Sequence, residues 1–395
     1  MVLTGIISEF NPFHSGHAFL IDQARRNGAT HIAAVMSGNF VQRGSTAVLS
    51  KWARTRQALL CGADLVAELP LPWAAAGAER FALGGVSLLN ALGADRIAFG
   101  SECGDAARLN KAAEALDSPL LGNAMRGALE RGASFAAARQ EALRGLFGNE
   151  TAELFSDPNN ILAIEYLKAV RKTGSKLSPF TVKRKGSAHD SGTGNGRFAS
   201  SAYIRSLLES NEDCAAFMPE AAWNILREER EAGRAPASLT RAERAVLAKL
   251  RGMGAEEFAG LPDVSEGLEN RLWKAVQKAE TLEELYGFVK TKRYSHARIR
   301  RIVLSAFLGI KASDSEGTPP YLRILGFNPR GKEILSAVKN TAVLPVVTRP
   351  ADLRSLNERA QNTFRLESES TDLFTLCTPK TGPCGLDFKT GILTM

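Results

Sequence analysis

The stretch GIISEFNPFHSGH, residues 5–17, joins a short apolar run to the start of an amphipathic segment. The run Val2–Ser8 predicts a buried strand, and Gly16–Asn27 predicts a helix with one apolar face. At such a junction, backbone N–H groups and the helix dipole point at one place, which favours an anion. The tetrapeptide HSGH, residues 14–17, occupies the junction, and its two imidazoles can donate hydrogen bonds to phosphate oxygens. In this context the motif predicts a phosphate site, and the alternative of ordinary surface or capping histidines is disfavoured.

Short apolar runs continue to alternate with helical patterns along the first hundred residues. Further strands are predicted at His31–Met36, Asp64–Leu69 and Asp95–Phe99, and further helices at Ser50–Cys61 and Ala75–Leu92. Beyond these, Asn160–Lys172 predicts a helix and Ser178–Lys185 a fifth strand. Strands that alternate with helices in this order predict an α/β fold with a Rossmann-like, doubly wound parallel sheet.

The length of 395 residues predicts two or three domains. We expect a catalytic domain over residues 1–214, interrupted by a helical insertion at 106–148. Residues 215–395 are rich in Ala, Leu, Arg and Glu and predict a second, mostly helical domain.

The composition is that of a soluble globular protein, with a net charge of +8 and a pI of about 9.3. A basic protein favours polyanionic partners such as ATP or RNA, although a solubilising surface explains the same charge. The five cysteines include no CxxC pair, which disfavours a zinc site and a disulfide framework. Neither a signal peptide nor a transmembrane segment is recognisable, so we expect a cytoplasmic protein.

Several residues that follow predicted strands or open predicted helices are candidate ligand contacts. Gly100 closes the fourth strand, where ligands of parallel sheets bind, although a simple turn explains it equally well. Asn160 and Ser200 each stand at the start of a helix and also suit helix caps. Arg184 stands between two lysines near the end of the fifth strand, where a cation can hold phosphates.

Two polar regions are candidate substrate contacts. The loop SGNFVQRG, residues 37–44, follows the second strand and offers Asn39, Gln42 and Arg43. Lys51 can neutralise an anionic substrate, or it can be an exposed helix charge. The segment Lys290–Arg301 carries six basic residues, no acid and an interleaved aromatic, a pattern typical of RNA binding and also of a solvated helix. Its basic residues are Lys290, Lys292, Arg293, Arg298, Arg300 and Arg301.

These motifs resemble the bacterial tRNA(Met) cytidine acetate ligase family, within the HIGH-motif nucleotidyltransferase superfamily. Besides residues 5–17, the resemblance is carried by MSGNFVQRG at 36–44, FGSE at 99–102 and DPNNILAIEYLKA at 157–169. It continues in ASSAYIR at 199–205, KRYSHARIRRIVL at 292–304 and YLRILGFNPRG at 321–331. It therefore covers nearly the whole chain.

The resemblance implies a ligase that makes acetyl-adenylate from ATP and acetate. It then transfers the acetyl group to N4 of the wobble cytidine, position 34, of elongator tRNA(Met), giving N4-acetylcytidine, AMP and pyrophosphate. The helical domain is then expected to bind the tRNA, and Mg²⁺ is expected to accompany ATP without a protein ligand. The implied catalytic residues are His14, His17 and Lys51. The implied ATP contacts are Ile7, Ser8, Glu9, Phe10, Asn11, Pro12, Phe13, His14, Ser15, Gly16, His17, Ala18, Phe19, Leu20, Gly100, Asn160, Arg184 and Ser200.

The chain departs from the family pattern at two positions, Ala188 where Tyr is expected and Ala202 where Thr is expected. The KMSKS loop of class I aminoacyl-tRNA synthetases is absent from the sequence, which argues against a synthetase. Two other functions are compatible with the motifs. One is a small-molecule adenylyltransferase of cofactor biosynthesis, and the other is a non-catalytic RNA-binding protein.

Overall fold

The computed structural model describes residues 1–184, 196–265, 267–339 and 343–395. Its strands are β1 (Leu3–Ser8), β2 (His31–Ser37), β3 (Phe40–Val41), β4 (Ser45–Thr46), β5 (Leu65–Leu69), β6 (Arg96–Ser101), β7 (Ser178–Lys183), β8 (Leu322–Phe327), β9 (Val346–Val347) and β10 (Leu393–Thr394). Its first ten helices are α1 (Ser15–Arg26), α2 (Lys51–Leu60), α3 (Leu71–Ala74), α4 (Ala78–Ala91), α5 (Ala106–Leu116), α6 (Pro119–Glu130), α7 (Phe135–Phe147), α8 (Asn149–Glu153), α9 (Pro158–Lys172) and α10 (Ser201–Glu209). The helices that follow are α11 (Glu220–Glu231), α12 (Glu243–Arg251), α13 (Ala255–Ala259), α14 (Leu268–Val276), α15 (Leu282–Val289), α16 (His296–Leu308), α17 (Pro329–Val338), α18 (Glu358–Phe374) and α19 (Leu386–Lys389).

The main sheet runs in the order β10-β8-β5-β2-β1-β6-β7, with β9 paired to β8. β1 pairs in parallel with both β2 and β6, so the strand order reverses beside β1. Ligands of doubly wound sheets bind at the carboxyl ends of the strands at such a point. The predicted Rossmann-like parallel sheet is therefore confirmed, and its crevice lies where β1 meets the HSGH tetrapeptide.

The five parallel strands that the sequence predicts all form, with ends within two residues of expectation. The helix predicted over 75–92 forms as α4, which begins three residues later than expected. Gly77 adopts an extended conformation and occupies the N-cap position, so the helix starts at Ala78. The insertion expected at 106–148 is filled by α5, which packs on α9, and by α6 and α7, which pack on each other.

The second half of the chain builds a helical core and then returns to the sheet. Helices α12 to α16 bury their apolar faces together in one hydrophobic cluster. After α16, β8 pairs antiparallel with β5, and β10 pairs parallel with β8. The boundary expected at residue 214 therefore does not mark the end of the sheet, because three of its strands come from residues 322–394.

Within the described ranges, no helix combines the length and apolar character needed to cross a membrane. The five cysteines stand as free thiols. Among the same residues, no group of three or more His, Cys, Asp and Glu side chains converges as a metal site.

Candidate active site

The two histidines of the tetrapeptide cap helix α1 reciprocally. Nδ1 of His14 accepts the backbone N–H of Gly16 at 3.0 Å, and Nδ1 of His17 accepts the backbone N–H of His14 at 3.2 Å. The rings stack with their centroids 3.8 Å apart. Since Nδ1 of each neutral ring accepts, the ring proton of each lies on Nε2. Both histidines therefore present an Nε2–H donor.

Both histidines are neutral at ordinary pH. Burial lowers the pKa of His14 to about 3, and the positive charges of Arg184 and Arg205 act in the same direction. Burial, His14 and Arg184 likewise hold the pKa of His17 well below its usual range. The pair therefore offers hydrogen-bond donors without a net charge of its own.

The Nε2 atoms of the two histidines have different surroundings. His14 is buried, and its Nε2 lies 2.9 Å from Oγ of Ser201 at the start of α10. His17 is half-buried, and its Nε2 has no hydrogen-bond partner within the described parts of the chain. His17 is thus the histidine whose donor is open to a ligand, and His14 is held by α10.

The segment 7–20 that is expected to hold ATP contains both buried and half-buried residues. Phe10 and Phe13 are fully buried and pack around the ring of His17, with centroids 5.0 and 5.4 Å from it. Asn11 is buried and its Oδ1 accepts the N–H of Val48 at 2.8 Å. The buried members fix the histidines, and the half-buried ones border the crevice. Ile7 and Pro12 are also buried, whereas the half-buried members are Ser8, Glu9, Ser15, Ala18, Phe19 and Leu20.

Two arginines flank the histidines, and the sequence pointed to only one of them. Arg184, at the end of β7, donates its backbone N–H to Ser101 and lays its side chain against Gly100. A Cβ at Gly100 would lie 3.4 Å from Cγ of Arg184, so Gly100 keeps room for that side chain. Arg205 on α10 donates to the carbonyl of Asn11 at 2.9 Å. Burial lowers the pKa of both guanidinium groups, Glu102 opposes this shift for Arg184 and Glu9 opposes it for Arg205, and the charge of Arg43 adds to the lowering in both.

Ser201 and Arg205 are not among the residues predicted from the sequence, because the ASSAYIR block singles out only its helix cap. Ser200 is that cap, and its Oγ accepts the N–H of Tyr203 at 3.1 Å. Ser201 and Arg205 stand four residues apart, so they share one face of α10. That spacing was the available signal, since the face meets His14 and Asn11. Ala202 follows Ser201 on α10, and Ala188 lies outside the described residues.

The FGSE and PNN blocks meet across the crevice. Glu102 accepts the side chain of Asn159 at 2.5 Å and the backbone N–H of Asn160 at 2.9 Å. The side chain of Asn160 is buried, accepts the N–H of Cys103 at 2.9 Å and donates to Asp157 at 3.3 Å. Asn160 therefore shapes the loop after β6, beside Gly100.

Arg54 joins the loops that follow β1 and β2. It is fully buried and donates to the carbonyls of Glu9 at 2.6 Å and Ser37 at 3.0 Å, and also to that of Gly38. Glu9 in turn accepts the N–H of Gln42 at 3.0 Å. Burial lowers the pKa of Arg54 to about 10. This arginine holds the SGNFVQRG loop against the segment that carries the histidines.

Lys51 and Asn39 lie in the interior, not on an exposed helix face. Nζ of Lys51 is fully buried and contacts Glu68 at 2.8 Å and Asp387 at 2.7 Å, with Glu367 at 3.8 Å. The side chain of Asn39 bridges the backbone N–H of Lys51 and the hydroxyl of Thr371. The alternative of an exposed helix charge is therefore wrong for Lys51, whose ammonium is enclosed by carboxylates.

Arg323 completes this group, which we call the ion cluster (Lys51, Glu68, Arg323, Glu367 and Asp387). Arg323 lies 2.9 Å from Glu68 and 2.5 Å from Asp387. Burial raises the pKa of Asp387, but Lys51 and Arg323 outweigh it and lower the pKa to about 2. Burial and the charge of Glu68 hold the pKa of Glu367 well above its usual range. Two basic side chains thus face three acidic ones in the interior, and the raised pKa of Glu367 favours the protonated form of that carboxyl.

The six basic residues of the 290–301 segment fall into two sets. Arg298 donates to the carbonyl of Asp263 at 2.8 Å, and Arg301 pairs with the carboxylate of Asp263 at 2.9 Å. These two arginines serve the packing of the helical region. The side chains of Lys290, Lys292, Arg293 and Arg300 are exposed.

Known proteins resemble this chain over nearly its whole length. The sequence model of the family described as HIGH Nucleotidyl Transferase matches residues 1–384. The chain is 40% identical to the tRNA(Met) cytidine acetate ligase of Thermoanaerobacter sp. (strain X514), over 98% of each chain. The chain belongs to the tRNA(Met) cytidine acetate ligase family. It is also 37% identical to the family member of Acetivibrio thermocellus, over 100% of each chain.

Two solved structures of Thermotoga maritima TmcAL share the whole fold. One is bound with alpha-thio ATP and superposes with a TM-score of 0.93, and the other is the apo form with a TM-score of 0.95. Each is 32% identical in sequence and covers 100% of both chains. The expected family and the expected α/β fold are therefore confirmed.

Replacement of His14 tests the neutral state of the histidines. Between the unfolded pKa of about 6.5 and the folded pKa of about 3, the unfolded chain binds more protons. The free energy of unfolding therefore falls as the pH falls through this window, by up to about 2 kcal/mol per histidine between pH 6.5 and 5. Asn keeps an acceptor for Gly16 but does not titrate. When the pH is lowered from 7.5 to 5, we expect the free energy of unfolding in urea to fall by about 2 kcal/mol less for His14→Asn than for wild type.

The same experiment carries its own control. Between pH 7.5 and 8.5 neither form of His14 titrates, so the two proteins should change in parallel there. An equal loss of stability in both proteins between pH 7.5 and 5 would contradict a lowered pKa for His14.

Replacement of Lys51 tests whether its ammonium serves the fold. Lys51→Met leaves Glu68 and Asp387 buried with one cation in place of two, so we expect a loss of about 3–5 kcal/mol in the free energy of unfolding. Lys111→Met, at an exposed position on α5, is the matched control and should change stability by less than about 0.5 kcal/mol. A purely catalytic Lys51 would instead give an unchanged unfolding free energy with a lower kcat.

Proposed function

We propose that the protein joins acetate to tRNA at the expense of ATP. Acetate is first activated as acetyl-adenylate, and the acetyl group then passes to N4 of the wobble cytidine, position 34, of elongator tRNA(Met). The observation that carries the proposal is the pair of neutral histidines between Arg184 and Arg205 at the reversal point of the sheet. The names of the relatives and the nucleotide analogue bound to the Thermotoga maritima protein support it.

The first step suits these residues. An oxygen of acetate attacks the α-phosphorus of ATP, the bond from that phosphorus to the bridging oxygen breaks, and pyrophosphate leaves. Charge builds up on phosphate oxygens, and the protein contributes by positioning and by donors aimed at that charge. The open Nε2–H of His17 and the guanidinium groups of Arg184 and Arg205 are such donors. Because the histidines are neutral, their hydrogen-bond donation does not require protonation of the rings and therefore does not change with pH in the ordinary range.

The second step requires only approach of the two reactants. The N4 amine attacks the carbonyl carbon of acetyl-adenylate, the bond to the phosphate oxygen breaks, AMP leaves and N4 releases one proton. The basic helical region is the proposed tRNA-binding part of the chain. Mg²⁺ is proposed to arrive with ATP, held by phosphate oxygens and water, and to neutralise the departing pyrophosphate.

Release of AMP and pyrophosphate tests the reaction as a whole. With ATP, acetate and elongator tRNA(Met), we expect AMP, pyrophosphate and acetylcytidine in equal amounts. Omission of acetate should stop the release of AMP. Release of pyrophosphate with a dinucleotide product and no response to tRNA would instead support a small-molecule adenylyltransferase. RNA binding without ATP affinity would support a non-catalytic protein.

Replacement of Arg205 tests the residue that the sequence did not single out. Arg205→Gln removes a charged donor beside His14, so we expect kcat to fall about 100-fold or more while the fold is retained. Arg227→Gln is the matched control, because Arg227 is exposed on α11 and pairs with Glu231 one turn away. A kcat within twofold of wild type for Arg205→Gln would remove Arg205 from the site.

A further inference from the structure

Helix α14 carries a stripe of exposed cations. Arg271 and Lys274 are three residues apart and share one face, and Lys278 follows one turn later, just past the end of the helix. All three side chains are exposed. On α14 itself the nearest acid, Glu269, stands two residues from Arg271 and therefore on another side of the helix, whereas Glu280 stands two residues beyond Lys278, past the helix end. The face of α14 that carries Arg271 and Lys274 is thus basic.

The end of helix α15 joins an exposed aromatic ring to the same surface. Arg271 donates to the carbonyls of Phe288 at 2.8 Å and Val289 at 2.9 Å, so it touches the last turn of α15. Phe288 is 48% exposed, so its ring is accessible at this surface. Lys290 and Lys292 follow it and are also exposed. The exposed acids of α15, at 283 and 284, lie in its first turn, at the other end of the helix.

This surface is connected to the candidate active site through a short series of packed elements. The β3–β4 hairpin of the SGNFVQRG loop packs against α16 at Gly44, where a Cβ would lie 2.5 Å from backbone atoms of Arg300 and Arg301. Helix α15 packs on α16, and α14 packs on α15. The axes of packed helices lie about 8–10 Å apart, so the axis of α14 lies at most about 20 Å from that of α16, which contacts the hairpin. That distance spans several nucleotides of an RNA whose target base occupies the crevice.

From this arrangement we infer that the basic face (Arg271, Lys274, Lys278, Phe288, Lys290 and Lys292) binds the RNA substrate beside the nucleotide that is modified. The lysines contact phosphates, Arg271 holds the end of α15 beside them, and Phe288 stacks on an unpaired base. The inference rests on the proposed function and assigns the docking surface for its RNA. The inference places part of the RNA-binding surface on α14 and the end of α15. The 290–301 segment alone does not supply it, because Arg298 and Arg301 of that segment are engaged with Asp263.

A charge-reversal variant with a matched control tests this assignment. The test variant combines Lys274→Glu, Lys278→Glu and Lys290→Glu, and the control combines Lys111→Glu, Arg126→Glu and Arg144→Glu on the insertion helices. All six side chains are exposed, and both variants change the net charge by the same amount. We expect KM for elongator tRNA(Met) to rise at least 10-fold in the test variant and by less than twofold in the control. The slope of log KM against log salt should fall by about 1 for each phosphate that the variant no longer neutralises.

Phe288→Ala separates base stacking from charge. Removal of one stacking partner should raise KM for the tRNA about 5-fold or more, with ATP affinity and the salt slope unchanged. Wild-type protein that does not acetylate tRNA would refute the proposed function itself. Wild-type protein that acetylates tRNA, beside a test variant that matches the control, would refute the basic face alone. Weakened ATP affinity in the test variant would also count against it, because these lysines would then serve the ATP site or the fold.

Discussion

The ion cluster is the constraint on which the arrangement of the two halves depends. Lys51 and Glu68 come from the first hundred residues, and Arg323, Glu367 and Asp387 come from the last seventy-five. A charge buried away from water is tolerated only with partners of opposite sign. Lys51 pairs with Asp387 as well as with Glu68, and Glu68 pairs with Arg323 as well as with Lys51. Strand β8 supplies Arg323, and helices α18 and α19 supply Glu367 and Asp387, so these ion pairs join the two halves of the chain.

The cluster also supports the candidate site from behind. Asn39 bonds both to the backbone of Lys51 and to Thr371 on α18, so the loop after β2 is anchored on the same residues. Arg54, one turn after Lys51 on α2, ties that loop to Glu9 in the segment before the histidines. A substitution in the ion cluster therefore affects the position of this loop indirectly, through the hydrogen bonds of Asn39. Lys51 has a structural reason to be present whatever its part in the reaction.

The sequence predicted the parallel strands and the HSGH junction because their signals are local. Apolar runs, turn residues and caps lie within a few residues of the element they define. It did not predict β8 as a sheet strand, because its pairing with β5 joins residues more than 250 positions apart. Arg205 and the partners of Lys51 were missed for the same reason. A charged residue on a helix gives the same sequence pattern whether its side chain is exposed to water or buried against a carboxylate that is distant in the sequence.

The neutral histidines and the arginines beside them contribute differently to the binding of phosphate. The arginines supply charge that attracts the polyphosphate, and burial, together with that charge, lowers the pKa of both imidazoles and so keeps them neutral. Reciprocal capping then fixes Nδ1 of each ring as an acceptor, so each Nε2–H points away from the helix end as a donor. The helix cap sets the direction of the hydrogen-bond donors. Arg184, which follows β7, and Arg205, on α10, supply the positive charge. Because the two contributions lie on different elements, the crevice needs both the β1–α1 junction and α10 in place before its donors converge on one anion.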